Sequence, residues 1–210
     1  MVQRLQSGDR MTRSTPSLAL PTEGRAASLA ASEAPPPRCL RGVLAAAWGV
    51  TGQLALVAAP AALLLRAAVR GLAAADLDPW HWALSAATVL LLGYFQGYRG
   101  FQRGYAPFVA ARAAHLARHP TVWHGIAAPL HVCGLVDATP GRRARTALLL
   151  AVMPVLAFLV ARLPAPYRAI VDLGVAFGLA WGALSIIVYA ARAAAGRVPA
   201  IPLSLPAPRQ

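Results

Sequence analysis

The sequence predicts an all-α integral membrane protein with four transmembrane helices. Three observations lead there. First, 58% of the 210 residues are hydrophobic and 13% are charged, whereas a soluble domain is about half apolar and a quarter charged. Second, apolar stretches of helix-spanning length recur at about 42–65, 80–98, 146–161 and 170–191,. Third, the arginines fall unevenly about those stretches. With the N-terminus inside, sixteen arginines lie in inner segments and four (Arg66, Arg70, Arg162 and Arg168) lie in outer loops. That is the bias the positive-inside rule describes. It places both termini in the cytoplasm and the protein in a cytoplasmic (inner) membrane. The absence of lysine and the richness in alanine read as the coding bias of a GC-rich, bacterial genome.

Residues 1–38 are rich in Ser, Thr, Ala and Pro, and Pro35-Pro36-Pro37 lies near their end. No apolar core long enough for a signal peptide occurs there, so a disordered cytoplasmic tail is expected. The transmembrane domain follows over 39–196. Its first span, Gly42 to Leu65, has only Thr51 and Gln53 as clearly polar members, and Pro60 bends it. Asp78-Pro79 has the form of an N-cap followed by proline at the first helical position. Trp80 and Trp82 then suit an interfacial belt. The second span continues into LGYFQGYRGFQRGYAPFVAARAAHLARH, Leu92 to His119.

That stretch is the most patterned in the chain. Tyr94, Tyr98, Phe101, Tyr105 and Phe108 recur in steps of 4 and 3, as do Gly93, Gly97, Gly100 and Gly104. At α-helical period each set forms one face. A break is expected near Gly104 to Ala106, because Pro107 removes a donor and clashes with the carbonyl four residues back. Beyond it, about 107–118 is expected to lie in the membrane surface as an interfacial amphipathic helix, with Arg112, His115 and His119 on one face. Residues 121–136 are apolar but short, and read as a re-entrant or interfacial segment. Thr139-Pro140 opens the third span and Pro164-Ala165-Pro166 precedes the fourth. Gly196 and Pro199 end the last helix, and 197–210 is a loose tail.

The function expected is of structural or interaction type. Gly93, Gly97, Gly100 and Gly104 in the second helix, and Gly174, Gly178 and Gly182 in the fourth, form small-xxx-small faces through which membrane helices approach closely. They pack against each other, against a second copy or against another membrane protein. Arg99, Arg103, Arg112 and Arg118 are candidates for anionic lipid head groups. Nucleic acid is not an expected partner, since the arginines flank apolar spans and form no contiguous face.

Two rival readings remain open. In one, Asp172, Gln53 and Gln96 line the path of a small transporter or channel subunit. In the other, His115 and His119 serve a membrane-embedded enzyme acting on lipid head groups. The same two histidines, and separately Asp76, Asp78, His81 and Asp172, are candidate metal or ligand groups. Neither cluster is compelling. No carboxylate occurs between Asp78 and Asp137, and Asp78 and Asp172 are explained as helix-terminal acids, the latter beside Arg168. Whether the chain is an enzyme stays open, with the balance against it, and no cofactor or metal is expected.

Overall fold

The computed structural model describes residues 39–119, 122–136 and 139–199. The expected disordered tail at 1–38, and the tail beyond Pro199, lie outside them. The described residues hold helices and no strand. These are α1 (Leu40–Ala73), α2 (Pro79–Leu92), a π-helical segment (Gly93–Tyr105), α3 (Ala106–Arg118), α4 (Val122–Val132), α5 (Pro140–Val160) and α6 (Ala165–Ala194).

Three of these, α1, α5 and α6, are long and apolar enough to cross a membrane. The fourth expected span is divided. Helix α2 has 14 residues, short of the roughly 20 needed to cross. It runs directly into the π segment and then into α3, so the chain is helical from Pro79 to Arg118.

The break expected before Pro107 does not occur. Tyr105 and Ala106 both keep helical backbone angles. The reason lies in the wider ladder that precedes the proline. The Ala106 N–H donates to the Phe101 carbonyl, five residues back. Pro107 follows directly, at the junction where the π ladder gives way to α3.

The helix ends follow local chemistry. Cys39 caps α1, its Sγ accepting from the Gly42 N–H at 3.4 Å. Asp78 occupies the N-cap of α2, and its own N–H donates to His81 Nδ1 at 3.2 Å. Gly134 and Gly196 have φ of 84° and 87°. Each sits in a pair of closing bonds. Leu135 N–H reaches the Leu130 carbonyl and Gly134 N–H that of His131, while Arg197 reaches Arg192 and Gly196 reaches Ala193. This is the Schellman arrangement, which needs a left-handed residue at the glycine position.

Helix α3 is the most completely buried of the helices. Eleven of its residues are buried, from Ala106 to Ala117, with Arg112 wholly so. It contacts α1, α6, α4 and the π segment. The interfacial helix expected at 107–118 is therefore corrected to a core helix. Residues Val109 to Ala114 are small or apolar apart from Arg112, so the helix lacks a continuous polar face for water. Helix α4 turns one face inward: Ala128, His131 and Val132 are buried, whereas Ile126 and Leu130 are exposed.

Helix α5 differs from all of these. Nearly every described residue along it is exposed, and its 18-residue apolar window is 0% buried.

Candidate functional site

The π segment positions the first group of candidates. Its i→i+5 bonds widen the helix, so a face recurs at 4 or 5 residues instead of 3.6. The single aromatic stripe read at α period splits. Tyr94 and Tyr98 stack with centroids 5.8 Å apart, and Tyr94 is exposed. Phe101 and Tyr105 turn to the other side, where they meet edge to face and pack on the core. The glycines split in the same way.

Gly93 and Gly97 are buried against α6. A methyl group built on Gly93 would lie 2.8 Å from the Phe177 ring, and one on Gly97 would lie 3.0 Å from Trp181. The fit is reciprocal. A methyl on Gly174 would meet Thr88 at 2.8 Å and Leu92 at 2.9 Å. One on Gly178 would meet Gln96 at 2.9 Å, and one on Gly182 would strike the Phe101 ring. Large side chains from each helix thus occupy the glycine positions of the other. Gly100 and Gly104 take no part. They are exposed, and a methyl there would meet only backbone of the same segment, at 3.3 and 3.6 Å. Beside them, Arg99 and Arg103 are exposed, and Arg103 lies over the Tyr98 ring at 4.9 Å.

The second group lies around α3. Arg112 is removed from the lipid-contact set by its burial. Its Nη2 donates to the Val136 carbonyl at 2.8 Å and lies 3.4 Å from His131 Nδ1. Phe108 flanks the guanidinium at 5.6 Å. The Gly134 turn sends the chain past α4 so that two successive carbonyls meet arginines, since Leu135 accepts from Arg143 Nε at 3.0 Å. Sequence reasoning missed this pairing of Arg112 with His131. The signal was an arginine among alanines, with no other polar residue near it to make a wet face. His115 is half-buried and His119 exposed, their rings 4.7 Å apart. Arg118 is half-buried.

A buried relay ties three elements together. Tyr105 O–H donates to Gln53 Oε1, and Gln53 Nε2 donates to the Pro129 carbonyl at 2.7 Å. This joins the π segment, α1 and α4, and accounts for a polar residue in the first span. Gln96 sits across Gly178 instead. Trp181 Nε1 donates to Gln102 Oε1 at 2.7 Å, a further tie along the same face.

The third group is at the far ends of α1 and α6. Asp172 lies 3.7 Å from Arg168 Nε, and both line a cavity with Ala67, Gly71, Leu163, Ala165 and Ala169. Asp172 faces Ala67 and Gly71, whereas Gln53 lies roughly 21 Å earlier along α1 at 1.5 Å per residue. Asp172, Gln53 and Gln96 are therefore held in three different places. Nor do Asp76, Asp78, His81 and Asp172 assemble. Asp76 and Asp78 are exposed, and His81 faces the Tyr167 ring at 5.7 Å. Among the described residues no three His, Cys, Asp or Glu side chains converge with metal-holding geometry.

Among the described residues all regular structure is helical, and three helices are long and apolar enough to cross a membrane. No protein-family model, curated protein or solved structure matches the chain.

Proposed function

We propose that the chain is a four-pass protein of the cytoplasmic membrane, structural or interactive in role, that contacts anionic lipid through its inner arginines. The second pass is made by α2 together with the first part of the π segment. The observation that carries the reading is the division of that segment. Gly93 and Gly97 bury against α6, while Arg99 and Arg103 remain exposed at its inner end. One helical stretch thus serves close packing within the apolar layer and then presents charge at the surface. The sixteen-to-four arginine split supports both termini being cytoplasmic. The exposed apolar flank of α5 fits lipid on that side.

Each surface arginine contributes about 1 kcal/mol of attraction to an anionic leaflet. Arg99, Arg103 and Arg118 changed together to Gln are expected to lower the phosphatidylglycerol co-purifying with the protein severalfold, while neutral lipid is unchanged. Undiminished phosphatidylglycerol in that variant would remove the lipid-contact role.

A further inference from the structure

Asp172 stands apart from every other polar group in the apolar helices. Its side chain is only 8% exposed. Buried carboxylates normally accept several hydrogen bonds. Among the described residues the partner of Asp172 is Arg168, whose Nε lies 3.7 Å from Oδ2, a single long charge-assisted contact. The Arg168 side chain in turn is half exposed. Both groups line a half-open cavity of about 320 Å³ whose other walls are Ala67, Gly71, Leu163, Ala165 and Ala169. That volume is at the lower end for ligand pockets, which run from about 300 Å³.

We infer that this cavity binds a small zwitterion, with a primary ammonium on Asp172 and a phosphate or carboxylate on Arg168. The charges decide the class. A lone cation would meet the Arg168 guanidinium, and a lone anion would meet the Asp172 carboxylate. A ligand carrying both charges a few bonds apart satisfies the two groups together. The lining decides the kind of cation. An ammonium with N–H donors can supply the further hydrogen bonds that a carboxylate with one long contact has room to accept. A quaternary ammonium has none and is held by aromatic faces, and no aromatic side chain lines the cavity. The small residues Ala67, Gly71, Ala165 and Ala169 leave room for the ligand beside the carboxylate. The cavity lies at the first turns of α6, the depth of lipid head groups in the four-pass arrangement. The ligand's source is therefore the head group of phosphatidylethanolamine or a soluble zwitterion of the same chemistry.

The test uses the full chain in nanodiscs of phosphatidylcholine with phosphatidylethanolamine or phosphatidylglycerol added. Lipid retained through extraction is measured by native mass spectrometry. The intact protein is expected to keep phosphatidylethanolamine over phosphatidylcholine by roughly tenfold, the worth of a charge-assisted hydrogen bond. Asp172→Asn is expected to bring the ratio to parity without changing the melting temperature in pure phosphatidylcholine. Ala67→Leu, which fills the cavity and leaves both charges in place, is expected to do the same and decides the matter if Asp172→Asn does not fold. In pure phosphatidylcholine discs, a melting temperature raised by O-phosphoethanolamine or glycine, and not raised in Asp172→Asn, would assign the soluble source. Enrichment of phosphatidylethanolamine with no response to either soluble compound would assign the lipid. Equal retention of the two zwitterionic lipids with no response to the soluble compounds would overturn the inference. So would enrichment of phosphatidylethanolamine that survives both substitutions, or preferred retention of phosphatidylglycerol that is lost in Asp172→Asn.

Discussion

Helices α5 and α6 are neighbours in sequence and nearly equal in apolarity, with mean hydropathies of 1.8 and 2.0 over their best windows. Yet 44% of the α6 window is buried and none of the α5 window is. Hydropathy therefore says which helices suit a bilayer and says nothing about which ones pack. The difference lies in side-chain size. Helix α6 carries Gly174, Gly178, Gly182 and several alanines, whereas from Leu148 to Val160 α5 is mostly Leu, Val, Met and Phe. Lipid tails are as apolar as leucine, so large aliphatic residues gain little by leaving lipid for another helix. Glycine gains backbone-to-backbone contact that lipid cannot provide.

The comparison breaks most severely where a packed element loses its centre. Arg112→Ala empties the space between α3 and α4 and strips the Val136 carbonyl of its donor. Large-to-small changes in a core cost about 2–5 kcal/mol, so Arg112→Ala is expected to melt far below the intact protein in detergent. A melting point unchanged within error would show that α3 is not the core helix.

A smaller loss is expected at Gly42. A methyl there would collide with the Ala117 backbone carbonyl of α3. Backbone cannot rotate away as a side chain can, so Gly42→Leu should cost about 1–3 kcal/mol by overpacking. Gly49 and Gly52 belong to this seam as well. A methyl on Gly49 would meet Val132 at 2.8 Å, and one on Gly52 would meet Pro129 at 2.7 Å. From sequence alone leucine at Gly49 or Gly52 is expected to have a smaller effect than at Gly97 or Gly178, but the α4 contacts are as close as those on α6 and argue for a similar loss.

The smallest effect belongs to α5. Leu149 is 59% exposed, and Leu149→Ala is expected to change stability by no more than about 0.5 kcal/mol. A loss of 2 kcal/mol or more, the size of a core truncation, would mean that α5 is covered by protein, and a concentration-dependent melting point would identify the cover as a second copy.

What could be read from sequence follows the same division. The helix starts at Asp78-Pro79 and Thr139-Pro140, the stop at Gly196 and the apolarity of α1, α5 and α6 rest on local chemistry, and the structure has them in place, although the Thr139 side chain makes no capping bond. The glycine faces at Gly97 and Gly178 also rest on a local pattern, because residue spacing fixes a face once the helix type is known. Two things were not local. The π geometry of Gly93–Tyr105 changed the period on which the aromatic stripe was read, sending Tyr94 and Phe101 to different sides. The burial of Arg112 depended on α4 folding back through the Gly134 turn, and no spacing within 107–118 encodes that.

The central claim is that the π segment and α6 hold together through interlocked glycines. A double-mutant cycle on Gly97 and Gly178 tests it most directly. Gly97 receives Trp181 and Gly178 receives Gln96, at adjoining places on one seam. Gly97→Leu and Gly178→Leu are each expected to lose about 1–3 kcal/mol. Together they should lose clearly less than the sum of the two, because the second leucine enters a contact the first has already opened. Melting temperatures equal to or above that of the intact protein for both single variants would contradict the account, since leucine improves a helix face that meets only lipid by up to about 1 kcal/mol.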